Sequence, residues 1–125
     1  MTEYNKKINE LAAINFGNRH QTDRAINARK FIDLNYANPL SLDKIATHVY
    51  SSKFHLNREF KRLYGITPAQ YVKEKRIQEA KIILRNNGAV TDACFKVGYR
   101  SLSSFSSLFK RMTGKNAETF KNEQE

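Results

Sequence analysis

Apolar positions along this chain recur at three- and four-residue spacing and nowhere alternate over a strand's length, which predicts an all-α protein. Tyr4, Ile8, Leu11 and Ala12 form the stripe of an amphipathic helix, ended by Gly17–Asn18. After a polar stretch, Thr22 or Asp23 is the expected cap of a second helix, whose apolar face uses Ile26, Ile32 and Tyr36 before Pro39 closes it. Ser41 caps a short helix through about Val49, and Ser51–Ser52 turns into a helix that runs to Tyr64 and stops at Gly65. Thr67-Pro68-Ala69-Gln70 is a capping box with proline at the first helical position, and nothing breaks the helix that follows until Asn86–Asn87–Gly88. A short helix to Val97, a turn from Gly98 to Ser101, a helix to Thr113 and a last turn or helix held by Phe120 complete about seven helices.

Two of these helix pairs are nearly the same. Leu56-Asn57-Arg58-Glu59-Phe60-Lys61-Arg62-Leu63-Tyr64-Gly65 returns forty-nine positions on as Phe105-Ser106-Ser107-Leu108-Phe109-Lys110-Arg111-Met112-Thr113-Gly114. Upstream, Leu42, Ile45, Ala46 and Val49 return forty-eight positions on as Val90, Ala93, Cys94 and Val97. The register therefore slips by one residue in the connecting turn. The expected organisation is an N-terminal helical extension over residues 1–23, a helix-turn-helix lobe over 24–66, a linker helix over 67–88 and a second helix-turn-helix lobe over 89–122.

Charge sharpens the picture because it follows the repeat. The chain of 125 residues has 22 basic against 12 acidic side chains, net +10. Residues 40–66 carry five basic and two acidic groups, residues 89–115 five and one, while the last ten residues are net acidic. Such co-location is the footprint of a polyanion-binding surface. With Leu56 as the inward reference and about 100° per residue, Phe60, Leu63 and Glu59 fall inward and Phe54, Arg58 and Lys61 outward, flanked by Asn57 and Arg62. In the second unit Phe105, Leu108, Phe109 and Met112 fall inward, while Ser103, Ser107 and Lys110 fall outward beside Ser106 and Arg111. A helix with a polar, basic outer face fits the DNA major groove. The candidate base contacts are Lys53, Phe54, Asn57 and Arg58 in one unit and Leu102, Ser103, Ser106 and Ser107 in the other. The candidate phosphate contacts are Ser52, Lys61 and Arg62, and Ser101, Lys110 and Arg111. Phe54 has two readings, packing on a neighbour or apolar contact with a thymine methyl or sugar. The linker helix, on the order of 28 Å long, suits two recognition helices entering successive major-groove segments.

The ordered set of these residues resembles the DNA-binding region of the AraC/XylS family of bacterial transcription regulators over about residues 24–122. It is carried by Leu40-Ser41-Leu42-x-x-Ile45-Ala46, by Ser52-x-x-x-Leu56-x-x-x-Phe60-Lys61-x-x-x-Gly65-x-Thr67-Pro68-x-x-Tyr71, and by Arg76-x-x-x-Ala80-x-x-x-Leu84. Val97-Gly98-Tyr99 and Phe105-x-x-x-Phe109-Lys110-x-x-x-Gly114 add the second half. The resemblance implies two lobes on a linker helix, adjacent major grooves as the target, and a regulator, usually an activator, with RNA polymerase as a further partner. Three positions depart from the pattern. Ala117 stands where the family has proline, leaving Asn116 as the cap; Ala89 stands where Ser41 caps the equivalent helix; and the outer face of the second recognition helix is mostly serine. The first lobe is therefore expected to carry most direct base readout.

Other chemistry finds little support. Phe60, Phe105 and Phe109 read as core, Cys94 as a small packed residue, and Arg76 as a structural ion-pair residue. His20, His48 and His55 lack the clustering of a zinc site. No catalytic grouping, metal site, cofactor motif, signal peptide or membrane span is legible, so a non-enzymatic, cytoplasmic, nucleoid-associated monomer is expected on an asymmetric duplex site. The rival readings are the DNA-binding fragment of a larger ligand-responsive regulator, or a basic helical adaptor for RNA or an acidic protein.

Overall fold

A computed structural model describes residues 19–124, and it shows seven α-helices and no strand among them. They are α1 (Arg19–Asn35), α2 (Leu42–His48), α3 (Lys53–Tyr64), α4 (Pro68–Arg85), α5 (Val90–Lys96), α6 (Leu102–Thr113) and α7 (Ala117–Glu123). The expected all-α, double helix-turn-helix architecture is what is found. The helix expected over Tyr4–Ala12, with its stop at Gly17–Asn18, lies outside the described residues. Packing divides the rest into two units. One holds α1, α2, α3 and the start of α4 through Val72; the other holds Tyr36–Pro39, α4 from Lys73, and α5 to α7.

In the first unit α1 packs on α2 and α3, and α2 packs on α3. Ala25, Ala28 and Ile32 line one side of α1 and are fully buried. Methyl groups at the first two positions let the helices approach closely, and Ile45, Ala46, Val49, Leu56, Phe60 and Leu63 fill the space below. Phe60 meets Tyr64 and Tyr71, and the Tyr71 hydroxyl donates to Asp33 at 2.6 Å. Burial and that carboxylate push the Tyr71 phenol well above its usual range. α1 corrects one expectation. Helix is already present at Arg19, so neither Thr22 nor Asp23 caps it. Thr22 and Asp23 lie inside a helix that packs on α2 and α3, and that packing outweighs the local capping preference. Gln21 and Arg24 line a shallow crevice beside His55, Leu56 and Glu59.

The core of the second unit is Ile77, Ala80, Leu84, Ala93, Cys94, Val97, Phe105, Leu108, Phe109 and Ala117, with Tyr36, Ile83, Val90, Tyr99 and Phe120 packed on it. Cys94 is buried, and burial raises its thiol pKa, which keeps it protonated and inert. Met112 departs from the expected inward set and stays 38% exposed. It lies near the boundary of the apolar arc, in the last turn of α6, where Phe109 and Phe120 already close the core. Arg76 is structural, but not through a carboxylate. Its Nε donates to the Tyr36 carbonyl at 2.6 Å, a terminal nitrogen donates to the Asn38 carbonyl at 2.9 Å, and the guanidinium lies 5.1 Å from the Tyr99 ring centre. The chain has just left α1 there, so those carbonyls have no helical N–H to accept from.

Caps fix the ends of the repeated helices. Ser41 accepts from the Lys44 N–H at 3.1 Å, Ser52 from His55 at 3.2 Å and Ser101 from Ser104 at 3.3 Å. Thr67 and Gln70 close the expected reciprocal box, and Asn116 accepts from Thr119 at 2.8 Å. Ala89 makes no side-chain cap. Gly65 and Gly114 end α3 and α6 at φ +82°, a left-handed conformation that glycine enters without strain. The one-residue slip can now be placed. Tyr50 and Gly98 both have positive φ, and the N–H groups of Ser51 and Tyr99 close the same turn onto Ala46 and Cys94. Ser52 follows Ser51 directly, whereas Arg100 intervenes before Ser101. Arg100 is the extra residue.

Candidate nucleic-acid interface

Each unit presents the outward face of its third-element helix as a polar surface. In the first, Ser52, Lys53, Phe54, Arg58, Lys61 and Arg62 are exposed and Asn57 is half-buried, all along one side of α3. Phe54 stands 79% exposed, so packing on a neighbour is not what is observed. In the second, Ser101, Leu102, Ser103, Ser107, Lys110 and Arg111 are exposed and Ser106 is half-buried along α6. The opposite faces carry Leu56, Phe60 and Leu63, and Phe105, Leu108 and Phe109, all buried. Burying those faces turns the polar faces to solvent.

The electrostatics of the two helices are alike. Neither α3 nor α6 has an acidic residue in its first turn, so the positive end of each helix dipole is left unneutralised. Both carry a basic pair in the last turn, Lys61–Arg62 and Lys110–Arg111. That placement also suits the negative end of each helix dipole, so it does not by itself identify a ligand. Lys53 and Arg62 each pair with a carboxylate within the first unit. Lys53 reaches Asp43 at 3.5 Å, a pair open to solvent and worth at most about 1 kcal/mol. Arg62 reaches Glu59 at 3.5 Å, and Glu59 is itself 9% exposed. A phosphate can replace Asp43 at little cost, but an Arg62 that turns outward leaves a buried carboxylate behind.

The outward side chains differ in reach. Lys53, Asn57 and Arg58 are long or carry amide and guanidinium groups that match base edges. Ser103, Ser106 and Ser107 are short, and Ser103 shares a 3.3 Å hydrogen bond with the capping Ser101. One partner escaped the sequence reading. His55 Nδ1 accepts from the Arg58 guanidinium at 3.0 Å. Its signal in the sequence is a histidine and an arginine three apart on a helix, a spacing that brings the two side chains together. Among the described residues no group of three or more His, Cys, Asp or Glu side chains could hold a metal ion. No helix among them is long and apolar enough to cross a membrane.

Known proteins share this frame. A family model described as a helix-turn-helix domain matches residues 45–123. The chain is 32% identical over 93 residues to the bifunctional transcriptional activator and DNA repair enzyme AdaA of Bacillus subtilis, covering 74% of this chain and 44% of that protein. It is 38% identical over 85 residues to the transcriptional activator AarP of Providencia stuartii, covering 67% of this chain and 63% of AarP. The chain thus spans about half the length of these relatives. Among solved structures, an AraC-type DNA-binding-domain protein from Chromobacterium violaceum superposes with TM-score 0.75 at 25% identity, over 82% of this chain and 92% of that one. The DNA-binding domain of AdpA, solved with a target DNA, superposes with TM-score 0.74 at 19% identity, over 78% and 89%, and shares the fold.

Proposed function

Since the chain belongs to the AraC-type family of helix-turn-helix proteins, we propose that it binds double-stranded DNA sequence-specifically and regulates transcription in the bacterial cytoplasm, as an activator. The names of its relatives AdaA and AarP, both transcriptional activators, support the sign of regulation. What carries the reading is the duplication itself: two helices with the same serine cap, the same buried face and the same terminal Lys-Arg, each leaving a polar face and an uncompensated helix N-terminus in solvent. One chain then supplies both recognition helices, each for its own major-groove segment, so a monomer suffices and the site is asymmetric. RNA polymerase is the partner that activation requires.

The division of labour follows from reach. Lys53, Phe54, Asn57 and Arg58 read base edges; Leu102 makes apolar base contact, and Ser103, Ser106 and Ser107 reach bases closely or through water; Ser52, Lys61, Arg62, Ser101, Lys110 and Arg111 hold phosphate. The test is selection of bound sequences from a random duplex pool, repeated with variants. Arg58→Ala is expected to cost about 1–3 kcal/mol and relax one or two base positions. Lys110→Ala should weaken all sequences alike and flatten the salt slope by about one. No enriched sequence above nonspecific competitor overturns the function. A Ser103→Ala, Ser107→Ala double variant that loses more preference than Arg58→Ala reverses the division of labour.

A further inference from the structure

The guanidinium of Arg58 has only donors, so its 3.0 Å bond to His55 Nδ1 requires a lone pair on that nitrogen. In that bond Nδ1 is the acceptor, and Nε2 is left to face solvent. Both side chains are exposed, Arg58 on the outward face of α3 and His55 on its flank, beside the crevice with Gln21 and Arg24. His55 is not needed to build the helix. Its cap contribution is made by its backbone N–H, which donates to Ser52 Oγ at 3.2 Å. The second unit supplies the control, because Ser104 and Ser107 take the places of His55 and Arg58. The Ser104 N–H makes the same bond to Ser101 at 3.3 Å, and α6 runs for the same 12 residues as α3.

What the imidazole adds is a hold on Arg58. We propose that His55 is a positioning residue that sets the conformation in which Arg58 reads a base, a role that rests on α3 being the base-reading helix. A free arginine side chain samples many rotamers and loses that freedom when it docks on a base. One N–H given to His55 removes part of that freedom beforehand. The remaining donors stay available, enough for the two-pronged contact to guanine O6 and N7 that arginine favours. An exposed hydrogen bond of this kind contributes little to folding, so its effect belongs in the choice of base.

The experiment uses the full chain, a duplex obtained by selection, and that duplex with single base pairs changed. Affinities are measured for the unaltered protein, His55→Ala, His55→Asn, Arg58→Ala and the His55→Ala, Arg58→Ala pair. His55→Ala is expected to lower discrimination roughly two- to tenfold at the base pairs where Arg58→Ala lowers it, and to leave the other positions and the thermal midpoint alone. His55→Asn should restore it, because the amide oxygen can stand in Nδ1's place as acceptor. The double variant should discriminate no worse than Arg58→Ala. Loss spread evenly over all positions, an additive double variant, or failure of Asn to rescue each overturns the proposal, and additivity would assign His55 a DNA contact of its own. If Arg58→Ala changes no base preference, the base-reading assignment of Arg58 falls, and the role of His55 falls with it.

Discussion

Ala89→Ser is expected to stabilise the second unit, and the structure sets the size of the gain. The side-chain caps at Ser41, Ser52, Ser101 and Asn116 sit in extended backbone, with ψ between 120° and 160°. Ala89 already has that geometry, φ −68° and ψ 147°, so a serine there needs no backbone adjustment. Its hydroxyl would face the Asp92 N–H as Ser41 faces Lys44. Asp92 is also the acidic residue of the first turn of α5 and can reach back to the N–H of residue 89, completing a box. A serine cap is worth about 0.5–2 kcal/mol over alanine, and Ala89 is exposed to competing water, so a gain of about 1 kcal/mol follows. For a chain of this size that is roughly 3–6 °C in Tm. Ser41→Ala, the mirror change, should lose a similar amount. Thermal unfolding gives the total, and hydrogen exchange at the Asp92 amide locates it. If Ser41→Ala costs 1 kcal/mol while Ala89→Ser gains nothing and leaves that amide unprotected, the reasoning from equivalent cap geometry is wrong.

Three further substitutions test the frame. Gly98→Ala should cost about 2–4 kcal/mol: the residue has φ +105°, and a Cβ would lie 2.6 Å from the Ala37 carbonyl oxygen. Gly65→Ala, at φ +82° with nothing within 4 Å, should cost only about 1–2 kcal/mol, and equal losses in denaturant unfolding would remove the steric part of the argument. Arg76→Lys should cost about 1–3 kcal/mol, because one ammonium cannot serve both carbonyls and lie over Tyr99 as the planar guanidinium does. Its DNA affinity should fall only with the folded fraction; a loss of affinity in fully folded protein would make Arg76 a DNA contact.

Most of the frame was legible because it is local. The starts at Ser41, Ser52, Thr67, Ser101 and Asn116 each rest on a hydroxyl or amide within reach of the N–H three residues on, and the stops at Gly65 and Gly114 on a glycine at positive φ. The 3.6-residue period then assigns Phe60 and Phe105 inward and Arg58 outward without further information. What was not legible depends on distant neighbours. Helix through Thr22 and Asp23 goes with the packing of α1 on α2 and α3, and the carbonyls that hold Arg76 belong to a stretch about forty residues earlier. Tyr50 shows the limit from the other side. An aromatic residue at φ 58° is disfavoured by its own sterics, yet the turn requires it where the second unit has Gly98. The Arg58–His55 bond is local in sequence, but a three-residue spacing of histidine and arginine fits a solvated helix face equally well and does not by itself predict a bond.

The repeat also separates what folds from what recognises. Between the copies, Phe60 and Phe109, Ser52 and Ser101, and Gly65 and Gly114 are identical, and each is accounted for by packing, capping or helix termination. On the outward face, Lys53, Phe54, Asn57 and Arg58 become Leu102, Ser103, Ser106 and Ser107, with no identity retained. Between these extremes lie Lys61–Arg62 and Lys110–Arg111, outward-facing yet unchanged. The Arg62–Glu59 pair cannot explain that retention, because Leu108 stands in the place of Glu59 and Arg111 is present all the same. The helix dipole favours a cation there but not this particular pair. Phosphate is the ligand that every stretch of duplex offers in the same form, and base edges are what differ from one stretch to the next. A surface that keeps its terminal Lys-Arg pair and varies the rest is what the proposed function asks of two units that hold the same backbone and face different sequences.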